Sequence, residues 1–346
     1  MELLYFLESI RNPVFDFIFS LITHLGEETV FLVVAIFVFW CVDKRGGYYV
    51  LTTGLIGTVI NQWLKLIFRI PRPWVGTDLT YVESAYEEAT GYSFPSGHTQ
   101  NIAGTFGSIG AFFKRNWLRI TSIVIIVLVA FSRMYLGVHT PLDVGVSLVI
   151  AAILVVGLYP IFSNEERFCK CMPFVIGISV VLTLGFLIWV NLLPDAEYVA
   201  RNLESGRKNA ATLFGCLLGL LVVYPLDTLI TKFETHANWY SQVIKLAGGL
   251  GGVLLIKSTQ SLFELIFGLF LEDPVYVARA ARYFLIVVFA GAVWPLTFKF
   301  FSKLKIPFME KFTSWVLRVL KIRTDSEAAA TACIGDDSGE NVENDN

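Results

Sequence analysis

Long apolar runs separated by short polar clusters set the pattern of this chain. A helix needs about 20 mostly apolar residues to cross the hydrocarbon core of a bilayer. Runs of that kind recur from residue 27 to residue 301. They predict about nine spanning helices, near 27–42, 47–68, 97–113, 117–136, 141–162, 172–192, 209–231, 243–270 and 283–301. The first and third are short, and the eighth carries Lys257 and Glu264. Ahead of them, residues 1–26 are apolar but broken by Arg11, Pro13 and Gly26. Phe15, Phe17, Ile18, Phe19, Leu21 and Ile22 predict a short helix lying at the interface there. Residues 304–323 set Phe308, Phe312, Trp315 and Val319 among Lys and Arg. That is the pattern of a basic amphipathic helix, either on the cytoplasmic membrane surface or packed on the bundle. Residues 324–346 carry acids without Lys or Arg and are expected to be disordered. The expected fold is all-α, a polytopic transmembrane helical bundle.

Composition narrows this further. Only 16% of residues are charged and 55% are hydrophobic, whereas a soluble domain is roughly a quarter charged. Mean hydropathy is +0.63. The net charge of -2 says little, because a membrane protein's charges matter by side. Lys44 and Arg45, Lys114, Arg115 and Arg119, Arg167 and Lys170, and Lys232 and Lys245 fall in alternate loops. With the basic residues from Lys299 to Arg323 they make up more than half of the 27 Lys and Arg. That side is expected to be cytoplasmic, with the N-terminus outside and the C-terminus inside. The start, Met1-Glu2-Leu3-Leu4, lacks a basic region and a small-residue cleavage site, so the first span is expected to act as insertion signal. Cys41, Cys169, Cys171, Cys216 and Cys333 form no disulfide or zinc spacing and are read as free thiols.

Three polar clusters stand at the expected outer ends of spans. In the first, Lys65 and Arg72 are seven apart, two helical turns, and share a face if the helix persists. Pro71 and Pro73 favour ending it near Ile70, with Arg72 on a loop folding toward the same point. Such cations bind an anion or simply snorkel at a span end. The second cluster, Pro95-Ser96-Gly97-His98, starts a helix. Free N–H groups and the dipole make that a ready anion site. Gly97 admits a ligand close to the backbone, and His98 can carry a proton. Alternatively Ser96 is an N-cap and His98 an interfacial polar residue. The third runs from Ser132-Arg133 to His139, Thr140, Pro141 and Asp143. Thr140 and Pro141 suit a helix start. Asp143 can reach back to one nitrogen of His139 and leave the other free to attack, or complete a capping box with Thr140, or both. Three cations, two histidines and a carboxylate on one membrane face suit a phosphate's charge.

These clusters resemble the three signature motifs of the type-2 phosphatidate phosphatase superfamily, K-x6-R-P, P-S-G-H and S-R-x5-H-x3-D. They stand here as Lys65…Arg72-Pro73, Pro95-Ser96-Gly97-His98 and Ser132-Arg133…His139…Asp143, without a departure. The resemblance covers about residues 47–162 and implies a catalytic membrane core over 27–162, with 172–301 as additional transmembrane helices. It implies that His139 attacks phosphorus to form a phosphohistidine, that His98 protonates the leaving oxygen and then activates water, and that Asp143 orients His139. Lys65, Arg72 and Arg133, with Ser96 and the Gly97 amide, would hold the phosphate oxygens. It also implies a site at the outer face of the membrane, here expected to be the plasma membrane. No carboxylate cluster in the motif region suits Mg²⁺, so no metal or cofactor is expected.

The substrate is less legible. The first expectation is a lipid phosphate or diphosphate, a polyprenyl diphosphate or phosphatidate, drawn from the surrounding bilayer; no nucleic acid is expected. A soluble phosphate ester, as in glucose-6-phosphatase, is the alternative. A transporter or channel on a non-catalytic core is the second alternative, and intact motifs argue against it. Trp74, Tyr81, Tyr86 and Tyr92 form an interfacial belt beside the site or ordinary aromatic anchors, and Glu83, Glu87 and Glu88 make that loop acidic. Gly248, Gly249, Gly251 and Gly252 permit close helix packing. Lys257 and Glu264 pair within one span or line a polar cavity, and Asp227 is expected to be solvated. Arg201, Arg207 and Lys208 either extend the positive surface near the site or meet head groups.

Overall fold

A computed structural model gives the three-dimensional structure and describes residues 1–304 and 306–319. Every regular element among them is helical. Two short helices, α1 (Glu2–Ser9) and α2 (Pro13–Thr23), come first. The Asn12 side chain accepts from the Val14 and Phe15 amides, and Pro13 occupies the first position of α2, where a missing N–H costs nothing. Next is α3 (Glu28–Phe37), prolonged by a π turn to Val42. Pro13–Gly26 and Glu28–Val42 together are apolar enough for one span, bent by 53°. The boundary expected between an interfacial helix and a first span is therefore this bend.

The central helix, α4 (Lys44–Phe68), is capped by Asp43 and ends at Arg69 in the left-handed conformation, two residues before Pro71. A four-residue turn, α5 (Glu83–Tyr86), sits in the long loop that follows. Then come α6 (Gly97–Phe113), α7 (Asn116–Tyr135), α8 (Pro141–Phe162) and α9 (Glu165–Leu192). After them run α10 (Ala200–Leu226), α11 (Trp239–Ser258), α12 (Gln260–Gly268) and α13 (Val275–Val288), the last continuing through π and 3-10 turns into α14 (Phe298–Lys303). Seven helices among the described residues are long and apolar enough to cross a membrane, eight if the bent pair counts as one. The expected span over 97–113, α6, has 17 residues, packs against α4, α7 and α8, and is mostly buried.

The chain divides into two compact units, Met1–Phe301 and Ser302–Asn346. In the first, α4 runs from an aromatic cluster at one end to the polar site at the other. Trp40, Tyr48, Tyr49, Phe162, Phe168 and Phe298 make up that cluster, all buried. Close packing uses the expected glycines: Gly249 lies against Trp40 and Trp294 and Gly252 against Phe289, while Gly251 faces open space. In the second unit, α15 (Pro307–Val319) places Phe308, Phe312 and Trp315 on one face. The predicted acidic tail, 324–346, lies outside the described residues, as does Cys333; the other four cysteines are free thiols.

Several expectations need correction. The span predicted over 243–270 breaks at Thr259. There the Ser258 and Thr259 hydroxyls donate back to the Leu255 and Ile256 carbonyls, at 2.8 and 2.7 Å, and compete with the helix. Lys257 and Glu264 consequently do not pair: the Lys257 carbonyl accepts from Arg282 and Glu264 accepts from Gln260. Asp227 is buried, not solvated. It follows Pro225 at a π turn and takes a 2.7 Å hydrogen bond from Lys44 Nζ and a 3.3 Å one from Tyr48 Oη. Tyr81 and Tyr86 stack and Trp74 packs on both at a tilt, but Tyr92 is buried among Leu66, Phe186 and Val190.

Candidate active site

At the end of the bundle remote from the aromatic cluster, α7 stops in a tight turn. Gly137 has φ +76°, and the Val138 and His139 amides donate to the Arg133 carbonyl at 3.2 and 3.3 Å. Glycine fits that left-handed position without strain. The turn presents His139 beside the start of α8, which is closed by a capping box between Thr140 and Asp143. Of the two alternatives for Asp143, the capping box forms, and the same carboxylate also faces His139. Its Oδ2 accepts from the Thr140 amide at 2.7 Å and lies 3.5 Å from His139 Nδ1. That separation is long for a direct hydrogen bond. Ser93 supplies the link: its hydroxyl donates to Asp143 Oδ2 at 2.6 Å and stands 3.4 Å from His139 Nδ1. On the other side of the ring, Arg72 Nη1 approaches Nε2 at 2.9 Å. A guanidinium only donates, so Nε2 is the lone-pair nitrogen and Nδ1 carries the proton. Burial, then Arg72, Arg133 and Lys65, hold the imidazole well below the ordinary His range. His139 is therefore neutral with an available lone pair.

The three cations converge as expected. Lys65 comes from the last turn of α4, Arg72 from the loop beyond it and Arg133 from the last turn of α7; all three are buried and line one cavity of about 360 Å³. Arg72 is fixed by its contacts with the Gly91, Thr90 and Val138 carbonyls. Lys65 donates to the Tyr92 carbonyl. Arg133 donates to the Thr23 hydroxyl at 2.7 Å, and its buried Nε has no partner. Buried cations without matching carboxylates are costly alone and are offset by a bound anion. Gly97 and His98, at the start of α6, also line the cavity. Ser96 does not: its hydroxyl caps α6, accepting from the Thr99 hydroxyl at 3.0 Å.

His98 has a partner that the motifs do not contain. Glu88 Oε2 lies 3.6 Å from His98 Nε2, while Glu88 Oε1 lies 3.3 Å from His24 Nδ1. His98, foremost, holds the Glu88 carboxyl below its usual range. Burial and then Arg133 push the His98 ring down to about 4, and the Glu88 carboxylate opposes them by favouring the protonated form. Glu88→Gln should therefore move the alkaline limb of kcat/KM to lower pH, by about one pH unit. A pH–rate profile checks this, and an unshifted limb would leave Glu88 without a role in positioning or charging His98. His24, Glu27 and Glu88 also make up the one group of side chains among the described residues whose donors lie close enough to share a cation.

The far wall of the cavity comes from α10, through Asn202, Ser205 and Asn209. Of the three basic residues in the first turns of α10, Arg201 lies over the Tyr86 ring, Arg207 pairs with Asp195 and Lys208 pairs with Glu204. The residues that sequence reasoning passed over are thus Ser93, Glu88 and the α10 stripe.

Comparison with known proteins gives two ordered family matches. The PAP2 superfamily profile covers residues 46–167, and the profile for the transmembrane extension of PAP2 superfamily phosphatases covers 211–306. A probable sphingosine-1-phosphate phosphatase of Dictyostelium discoideum is 30% identical over 158 residues, 42% of this chain and 38% of that protein. Undecaprenyl-diphosphatase BcrC of Bacillus subtilis (strain 168) is 33% identical over 146 residues, 42% of this chain and 73% of that protein. An undecaprenyl-diphosphatase of Sulfolobus acidocaldarius is 32% identical over 120 residues, 34% of this chain and 57% of that protein. The chain thus spans well under two thirds of the first and third of these relatives. No solved structure matches it. Lys65, Arg72, Gly97, His98, Arg133 and His139 of the motifs line one cavity, and the core and extension profiles follow one another along the sequence, so the chain belongs to the PAP2 superfamily.

Proposed function

We propose that this protein is an integral membrane phosphatase that removes phosphate from a membrane lipid monoester or diphosphate through a phosphohistidine at His139. The observation that carries this reading is His139, its Nε2 2.9 Å from Arg72 Nη1, on a cavity holding three buried cations and a second histidine. An arriving phosphate competes for the Arg72 N–H and frees Nε2. Nε2 then attacks phosphorus as the bond to the leaving oxygen breaks, and His98 donates its proton to that oxygen. In the second half, His98 takes a proton from water, the hydroxide attacks phosphorus and the P–N bond breaks. Lys65, Arg72, Arg133 and the amides at the start of α6 stabilise charge on the equatorial oxygens. Asp143 and Ser93 hold His139 in the tautomer that attacks.

The relatives' names, a sphingosine-1-phosphate phosphatase and undecaprenyl-diphosphatases, favour a lipid over a soluble ester. The basic residues at the starts of α4, α7 and α9 and the ends of α6 and α10 favour an outer site and an inner C-terminus. A turnover panel on purified protein tests the reading, comparing undecaprenyl diphosphate, sphingosine 1-phosphate, phosphatidate and glucose 6-phosphate, each with and without EDTA. The expected result is release of phosphate from at least one lipid, faster than from glucose 6-phosphate and unaffected by EDTA. Preference for glucose 6-phosphate would overturn the lipid assignment, and a strict Mg²⁺ requirement would overturn the mechanism.

A further inference from the structure

The extension beyond α9 has no place in the mechanism so far, yet it encloses a second cavity of about 260 Å³. This groove joins the catalytic cavity: Glu28, Thr29 and Asn209 line both. Lys257 lines the groove as well, and beyond these polar groups the lining is mostly apolar, with Leu32 and Val33 of α3, Leu213 of α10, and Leu250, Val253 and Leu254 of α11. Thr212 and Cys216 continue the α10 side. The lining runs from Asn209 to Cys216 on α10 and from Lys257 to Leu250 on α11, each about 10 Å of helix. The groove also opens sideways. α3 packs on α4 and α6, α11 packs on α13 and touches α3's π turn at Val38–Val42, and two lining residues, Val33 and Leu254, are 36% and 60% exposed.

We infer that this groove binds the hydrocarbon chain of the substrate, which makes the C-terminal extension the chain-selecting half of the active site. The inference rests on the proposed phosphatase reaction and deepens it. One neck separates a cationic chamber from an apolar one, and the ligand that satisfies both is a phosphate ester of a single long chain. The lateral opening lets that chain enter from the bilayer while its head moves to Lys65, Arg72 and Arg133.

The test uses single-chain alkyl phosphates, from ethyl to dodecyl, supplied as monomers to the full chain in nanodiscs. Moving a methylene from water into an apolar site changes binding by about fourfold. The expected result is kcat/KM climbing by up to about fourfold per methylene and levelling off once the chain outruns the groove. Thr212→Trp, which fills the groove, should cut the octyl-to-ethyl ratio of kcat/KM by about tenfold or more. A second measurement does not depend on that variant folding. With Cys41, Cys169, Cys171 and Cys333 changed to Ser, dodecyl phosphate should protect Cys216 from an alkyl methanethiosulfonate, and inorganic phosphate should not. An unchanged octyl-to-ethyl ratio in well-folded Thr212→Trp, or Cys216 modified equally fast under both conditions, would overturn the groove assignment alone. Failure to hydrolyse even ethyl phosphate and the lipids would instead overturn the phosphatase reading.

Discussion

His139→Ala should lose turnover on every accepted substrate by a factor on the order of 10⁴–10⁶, a rise in barrier of about 5–8 kcal/mol. Alanine removes the nucleophile but little of the scaffold. Asp143 keeps its hydrogen bonds from the Thr140 amide and the Ser93 hydroxyl, so the start of α8 remains closed. The variant should melt close to the wild type and still bind inorganic phosphate. His98→Asn should behave differently: with a substrate whose leaving group needs no proton it can form the phosphohistidine but not resolve it. Radiolabelled phosphate should then accumulate on the protein in an acid-labile form, and His139→Ala should take up none. The depressed pKa of His139 adds a sign. A lowered pKa keeps the attacking, neutral ring present as pH falls below the ordinary value near 6.5. The acid limb of kcat/KM set by His139 thus lies well below that value. Wild-type turnover in His139→Ala, within tenfold, would end the phosphohistidine mechanism.

Arg72→Ala should cost a factor on the order of 10³–10⁵ in kcat/KM, the scale of a guanidinium aimed at a transferring phosphoryl group. Arg72 acts three times over. It brings fixed charge to the cavity, it ties the loop carbonyls of Thr90, Gly91 and Val138 together, and it holds the His139 lone pair in register. Arg72→Lys should recover little, because a point ammonium cannot reach several carbonyls and the imidazole from one planar fork. The loss should appear in kcat as well as KM, since the guanidinium, once released from Nε2 to the phosphate, stabilises charge that is greatest in the transition state. Arg72→Lys within about threefold of wild type in both constants would reduce Arg72 to a diffuse positive charge.

Local signals carried far along this chain. Lys65, Arg72, His98, Arg133, His139 and Asp143 were placed by helix spacing, proline breaks and caps, which act within a few residues, and the structure brings all six to one end of the bundle. The remaining site residues depend on approaches between distant segments. Ser93 joins His139 to Asp143 from a loop some fifty residues away, and Glu88 meets His98 only after that loop folds back over α6. Asn202, Ser205 and Asn209 repeat at helical spacing, but Arg201, Glu204, Arg207 and Lys208 surround them in the first turns of α10, so the stripe does not stand out from its polar background. The break at Thr259 was hidden for the opposite reason. Hydropathy averages over a window, and two hydroxyls that turn back on the preceding carbonyls do not alter the average.

One atom of Asp143 links these levels. The same Oδ2 closes the first turn of α8, receives the Ser93 hydroxyl and faces the imidazole of His139. Folding and reaction chemistry are therefore not separable traits at this position. A substitution that loosens the helix start also untethers the nucleophile, and a replacement that restores only one of the two leaves the other impaired. Replacing this carboxylate should therefore weaken the start of α8 and the setting of His139 in a single step.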